Sequence, residues 1–188
     1  MNTHINLDGS GYDSHLPVLH FINDTIGIRK VFEFGCGEHS TGFFASIKAN
    51  VIAFEMQDEN WFKKMSENFW FDENIHINYL PGATDAINKF DTYNTIFDLV
   101  FVDGHGETRP DCIIAALGKA DTIVWHDSEN GWYGWDRVWK SKHPALVEYE
   151  YFEVKKWHPN TAILTRNVHL AAELKKLQSH EVTQHVIE

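Results

Sequence analysis

Segments patterned as β-strands alternate with segments patterned as helices along most of the chain, and this alternation restricts the fold more than any other feature. Residues 30–34 (KVFEF), 50–55 (NVIAFE), 75–80 (IHINYL), 97–102 (FDLVFV) and 122–126 (TIVWH) are short, apolar and rich in β-branched and aromatic side chains. Around them, apolar residues recur at helical spacing over 14–27, 40–48, 58–70, 84–90 and 110–118. Ser14, Ser40 or Thr41, and Asp58 stand where N-caps belong, and Gly27 stops the first helix. FDLVFV and TIVWH are apolar nearly throughout, as in strands covered on both faces. Residues 131–142 read as a helix or broken helix. Residues 147–157 and 161–165 read as strands joined at His158-Pro159-Asn160 with no helix between them, hence an antiparallel hairpin, and 169–178 as a polar helix. The pattern predicts an α/β fold: a doubly wound, mostly parallel sheet of seven strands between two helix layers, with an antiparallel C-terminal hairpin. Residues 1–180 form one domain on this reading, and 181–188 a loose tail.

Ligands of such sheets sit beyond the carboxyl ends of the strands, so the residues just after each strand carry the functional information. The first strand runs into Glu33-Phe34-Gly35-Cys36-Gly37-Glu38-His39-Ser40-Thr41. Two glycines permit a sharp turn and close approach of a ligand, and the following helix offers unpaired amides. A third glycine of the dinucleotide pattern would fall at position 40, which is Ser, and this departure counts against a nicotinamide or flavin cofactor. The second strand ends in Glu55, 18 residues after Gly37. A carboxylate there can accept hydrogen bonds from both ribose hydroxyls of a nucleoside, although a lone Glu is more often a solvated surface acid.

The composition narrows the partners. Twenty-seven acidic against 16 basic residues give a formal charge of -11, and the lysines at 140, 142, 155 and 156 are interspersed with acids. Neither feature suits a nucleic-acid partner, which needs clustered Lys and Arg. Two cysteines, Cys36 and Cys112, cannot build a disulfide framework. MNTHINLDGS lacks the basic and apolar regions of a signal peptide, and no apolar run approaches membrane-spanning length. These features predict a cytoplasmic protein with no nucleic-acid or membrane partner.

The stretch VFEFGCGEHSTGFFA, followed by VIAFE, FDLVFVDGHG and DTIVWHD, resembles the class I S-adenosylmethionine-dependent methyltransferases, over residues 30–166. The local forms E-F-G-x-G-x-x-S-T, V-D-G-x-x-x-x-R and H-D are most similar to a subgroup that includes small-molecule and sugar O-methyltransferases. The resemblance implies S-adenosylmethionine as cofactor, with Glu33, Gly35 and Gly37 on its methionine side and Glu55 on the ribose. Met56, Ala83 and Thr84 fall near the adenine, and Asp103 at the reactive end. Asp103-Gly104-His105-Gly106 is not the D/N-P-P-Y/F loop of nucleic-acid amino-methylating enzymes. A cofactor-binding or cofactor-degrading protein on the same fold is the alternative to a transferase.

Around the reactive end the sequence supplies Asp103, His105, Arg109, His126, Asp127 and Glu129. Methyl transfer to a hydroxyl requires orientation of the acceptor and removal of its proton. His105 or His126 can serve as base near neutral pH. Alternatively, Asp103 and Asp127 share a magnesium or manganese ion with the acceptor oxygens, as in some related O-methyltransferases. Arg109 pairs either with an acidic substrate group or with Asp111 or Glu107. Trp132 and Tyr133 are candidates for an acceptor pocket, and Trp135 and Trp139, at helical spacing, for packing on the sheet.

Overall fold

The computed structural model describes residues 13–177 and 181–187. Its strands are β1 (Lys30–Phe34), β2 (Asn50–Glu55), β3 (Ile75–Tyr79), β4 (Phe97–Val102), β5 (Ala120–His126), β6 (Glu150–Val154), β7 (Thr161–Thr165) and β8 (Val182–His185). They form one sheet in the order β3-β2-β1-β4-β5-β7-β6-β8. The first five are parallel to their neighbours, while β7, β6 and β8 pair antiparallel. The chain winds outward from β1 to β3, then crosses back to β4 on the other side of β1. The carboxyl ends of β1 and β4 therefore flank the switch point at which such sheets bind ligands.

The helices are α1 (Leu16–Ile26), α2 (Ser40–Ser46), α3 (Glu59–Phe69), α4 (Ala83–Asp91), α5 (Arg109–Ala116), α6 (Asp136–Lys140) and α7 (Val168–Lys176). Period-two alternation along the strands sends side chains to two separate cores. Val31, Leu99, Phe101 and Val124 meet α1, α2, α3 and α7 on one face. Phe32, Phe34, Val100, Val102 and Trp125 meet α4, α5 and α6 on the other. Trp135 and Trp139 pack against this second core, as their spacing predicts.

Three details differ from the expectation. The sheet has an eighth strand, because 182–185 pairs with β6 within the segment expected to be a loose tail. VTQH is too short and polar to announce a strand, and its pairing depends on an edge that exists only in the folded sheet. His39, not Ser40 or Thr41, occupies the N-cap position of α2, while residues 131–142 take the broken-helix form expected of them, a 3-10 turn at Gly131–Tyr133 followed by α6. Ser14 does not cap α1: His15 occupies the N-cap position without a side-chain capping bond, and the Ser14 hydroxyl turns towards β5. Asp58 does cap α3, accepting from the amides of Asn60 and Trp61.

Candidate active site

The turn after β1 is fixed by backbone packing. Gly35 has φ +93°, and a Cβ there would lie 2.6 Å from the Cα of Gly104 in the loop after β4. A side chain at Gly104 would in turn strike Met56. The Gly35 amide donates to the Phe54 carbonyl at 2.8 Å and the Asp103 amide to the Phe34 carbonyl at 2.9 Å, so the ends of β1, β2 and β4 form one unit. From Gly37 a relay runs inward: its amide donates to the Thr41 hydroxyl at 3.1 Å, which donates to a Glu33 carboxyl oxygen at 2.7 Å. Glu33 is fully buried, and burial pushes its pKa up to about 8. Its second oxygen has no hydrogen-bond partner among the described residues.

Glu55 ends β2 beneath this turn. One of its oxygens accepts from the amides of Gln57 and Asp58 at 2.8 and 3.1 Å, which fixes the carboxyl group. The other meets only the Cys36 thiol, at 3.8 Å. The Gly82 amide donates to the Met56 carbonyl at 2.9 Å, which places the start of α4, with Ala83 half-buried and Thr84 exposed, beside Met56. Burial raises the pKa of the Cys36 thiol far above its usual range, so it stays protonated and unreactive.

A cleft of about 680 Å³ opens at the switch point. It is lined by residues 36–40 and Trp61, by Asp103, Arg109, His126 and Asp127, and by His15 and Pro159. The Trp61 indole N–H donates to the Cys36 carbonyl at 2.8 Å, holding the aromatic wall against the turn.

Asp103 and Asp127 end the neighbouring parallel strands β4 and β5, as the sequence predicts, and the charge that joins them is Arg109. Its guanidinium reaches each carboxylate at 2.8 Å and also donates to the carbonyls of Gly104 and His126, both at 2.8 Å. Arg109 is buried, and Tyr133 covers it with the ring centroid 4.9 Å away. Arg109 does not pair with Asp111 or Glu107, for Arg137 takes Asp111 and the Glu107 carbonyl. A hard divalent ion shared by Asp103 and Asp127 does not fit this arrangement, because the guanidinium bridges the two carboxylates. Burial works to raise the Asp103 pKa, but His126 and Arg109 outweigh it and hold the carboxyl below its ordinary value. Asp127 has φ +58°, a left-handed conformation that Asp tolerates better than most residues and that turns its carboxylate towards Arg109.

His126, buried at the end of β5, contacts the Ser14 hydroxyl through Nε2 at 2.7 Å. That hydroxyl donates its only proton to the Pro159 carbonyl at 3.0 Å. When it donates there it accepts from His126, so that Nε2 carries the hydrogen. Nδ1 then presents its lone pair 3.6 Å from both Asp103 and Asp127. Two carboxylates and one guanidinium leave a net negative charge around this nitrogen.

Of the predicted residues, Gly37, Asp103, Arg109, His126 and Asp127 line the cleft. Glu33, Gly35, Glu55, Met56, Ala83 and Thr84 are not among its lining residues. His105 does not join them: its side chain is exposed and only its carbonyl is used, accepting from Thr108. Glu129 holds the turn between β6 and β7 through the Asn160 amide and His158. Trp132 is 93% exposed and lies outside the wall. Nothing in the sequence marks His15, Trp61 or Pro159 as cleft residues; they line it from the N-cap of α1, from α3 and from the turn between β6 and β7, and Ser14 stands behind His126 through its hydroxyl contact.

No protein-family model matches the chain, and no curated protein matches its sequence. Solved structures do match. An O-methyltransferase from Bacillus cereus in complex with SAH is 16% identical, with a TM-score of 0.63 over 87% of this chain and 83% of that one. The O-methyltransferase TomG from Streptomyces achromogenes, involved in tomaymycin synthesis and bound to SAM, is 14% identical, with a TM-score of 0.63 over 87% of this chain and 92% of that one. An SAH-bound methyltransferase from Podospora anserina is 12% identical, with a TM-score of 0.58 over 81% and 76% of the two chains. The chain shares the Rossmann-like fold of these proteins.

Proposed function

We propose that the protein is an S-adenosylmethionine-dependent methyltransferase acting on a hydroxyl group of a small molecule. The observation that carries this reading is His126 Nδ1, held in the cleft between Asp103 and Asp127 beside the glycine turn. The residues present suit the cofactor. Gly35 and Gly104 bring two loops together with no side chain intervening, Glu55 keeps an oxygen free of amide partners, and Glu33 has an unpartnered buried oxygen. When bound, S-adenosylmethionine supplies a methyl group on a sulfonium.

The chain supplies the rest. Glu55 accepts from the ribose hydroxyls, and Met56, with Ala83 and Thr84 beside it, borders the adenine. Asp103 marks the reactive end. Nδ1 of His126 takes the proton of the acceptor hydroxyl, and the resulting imidazolium lies between two carboxylates that are 25% and 20% exposed. Ser14 keeps the ring in the required tautomer through Nε2. Arg109 is a positioning residue: it holds both carboxylates and the carbonyls of Gly104 and His126. The fold-sharing O-methyltransferases support this assignment.

The test is calorimetric titration with S-adenosylhomocysteine, then incubation with methyl-labelled cofactor and a metabolite extract. Binding that weakens in Glu55→Ala by roughly 2–4 kcal/mol supports the reading, because charge-assisted hydrogen bonds are lost. Binding of NAD but not of S-adenosylhomocysteine would overturn it. Cofactor breakdown without any acceptor would replace transfer with degradation.

A further inference from the structure

His15 has no place in the chemistry above, yet its side chain lines the same cleft. It occupies the N-cap position of α1, only 2% exposed, packed 5.0 Å from the Phe101 ring and edge-on to His126 at 4.9 Å, centroid to centroid. Neither ring nitrogen has a hydrogen-bond partner among the described residues. Buried polar atoms in native proteins nearly always have partners, so an unpartnered ring at the wall of a cleft points to a ligand group.

Charge decides what kind of group. Burial brings the His15 pKa down to about 3, against the opposing pull of Asp103 and with His126, His39 and Arg109 pushing the same way. The ring is therefore neutral and too weak a base to take a proton, and it offers one N–H and one lone pair. Asp103 and Asp127 outnumber the Arg109 guanidinium between them, which disfavours an anionic group here. A neutral group that both donates and accepts is left, and a hydroxyl is one.

The geometry suits a single oxygen. One nitrogen of His15, one of His126 and a carboxylate oxygen of Asp103 lie within 4.8 Å of one another. The His126 nitrogen on the Asp103 side is Nδ1, at 3.6 Å. An oxygen about 2.8–2.9 Å from both nitrogens sees them at an angle of at most about 110–120°, which a hydroxyl group meets without strain. A hydroxyl has one proton, and the Nδ1 lone pair accepts it, so the His15 nitrogen must donate.

We infer that His15 holds the oxygen of the acceptor hydroxyl, its ring N–H donating to the oxygen whose proton passes to His126 Nδ1. The O–H electron pair stays on the oxygen, which bonds the methyl carbon as the carbon–sulfur pair returns to sulfur; His15 keeps its own proton throughout. As negative charge gathers on the oxygen the hydrogen bond strengthens, and a buried, fixed donor needs little reorganisation to meet it. That this hydroxyl is a methyl acceptor rests on the reading above; the hydroxyl site itself rests on the two rings.

The test is titration of para-nitrophenol into the cofactor-free full chain, followed by the visible absorption of its phenolate. Saturable binding is expected, with the bound phenol ionising at a lower pH than the free one, because His126 takes the proton and His15 holds the oxygen. His15→Phe and His15→Leu, which fill the packed space without a donor, should each weaken phenolate binding by about tenfold or more, as loss of a hydrogen bond to a charged group predicts. His15→Gln or His15→Asn, whose amides stand in for Nε2 or Nδ1, should recover part of the loss. His169→Ala, altering an exposed histidine of α7, should stay within about twofold of wild type, and near-ultraviolet circular dichroism confirms the fold of each variant. No saturable absorption, an affinity unchanged in the folded donor-free variants, or no recovery with either amide would overturn the assignment. Calorimetry with S-adenosylhomocysteine separates the two ideas. If S-adenosylhomocysteine binds while phenol binding ignores His15, only this inference falls; if phenol binding depends on His15 as expected and S-adenosylhomocysteine does not bind, the hydroxyl site stands and the cofactor reading fails.

Discussion

Substituting Glu33 by Gln should stabilise the protein, and by an amount that depends on pH. Folded, the carboxyl is fully buried and burial raises its pKa from the ordinary 4.5 to about 8. Unfolded, it releases its proton near 4.5. Between those values the folded state binds more protons than the unfolded state, so this group's contribution to stability declines as pH rises. The decline begins near pH 4.5 and is complete above about pH 8. At about 1.4 kcal/mol per pH unit, the full difference approaches 5 kcal/mol, a ceiling that local relaxation and water entry reduce. Gln retains an acceptor for the Thr41 hydroxyl and cannot ionise, so it removes the penalty while keeping the relay to Gly37. Thermal melts of both proteins at pH 5, 7 and 9 are the assay. Wild type and variant should melt nearly together at pH 5 and diverge progressively above it. A gap of 2–3 kcal/mol corresponds to roughly 4–12 °C in a domain of this size. A difference that is flat with pH, or a Gln variant less stable at pH 9, would refute the reasoning that burial keeps Glu33 protonated.

Gly35→Ala should cost about 2 kcal/mol or more in chemical denaturation and abolish S-adenosylhomocysteine binding by calorimetry, because a Cβ at φ +93° would press on the Gly104 backbone. Arg109→Met leaves two carboxylates facing one another and should cost about 3–5 kcal/mol, with Asp127→Asn in the same chain restoring part of the loss; strict additivity in this double-mutant cycle would argue against the bridge. Asp103→Asn and Asp127→Asn should each lower turnover by roughly tenfold or more while near-ultraviolet circular dichroism is preserved. Unchanged turnover in both would place the chemistry elsewhere.

The sequence by itself determined the elements of the parallel sheet and the glycine turn after β1. Both are local: an apolar run bounded by glycine, proline or a capping residue states its own conformation, and the E-x-G-x-G turn carries its backbone requirement in its glycines. It also placed Asp103 and Asp127 at the ends of adjacent strands, because alternating strands and helices leave few ways to wind a sheet. The tertiary structure decided which groups neutralise each other. Arg109 was visible as a residue but not as the bridge between two carboxylates, because the bridge depends on the register of β4 against β5. Ser14 reads as a helix cap because capping is a local rule, yet its hydroxyl goes to His126, 112 residues away. His15 gives no signal in a chain with twelve histidines; only burial without a partner distinguishes it. Local backbone preference is written in neighbouring residues, whereas the partner of a buried polar group is chosen by the packing of segments distant in sequence.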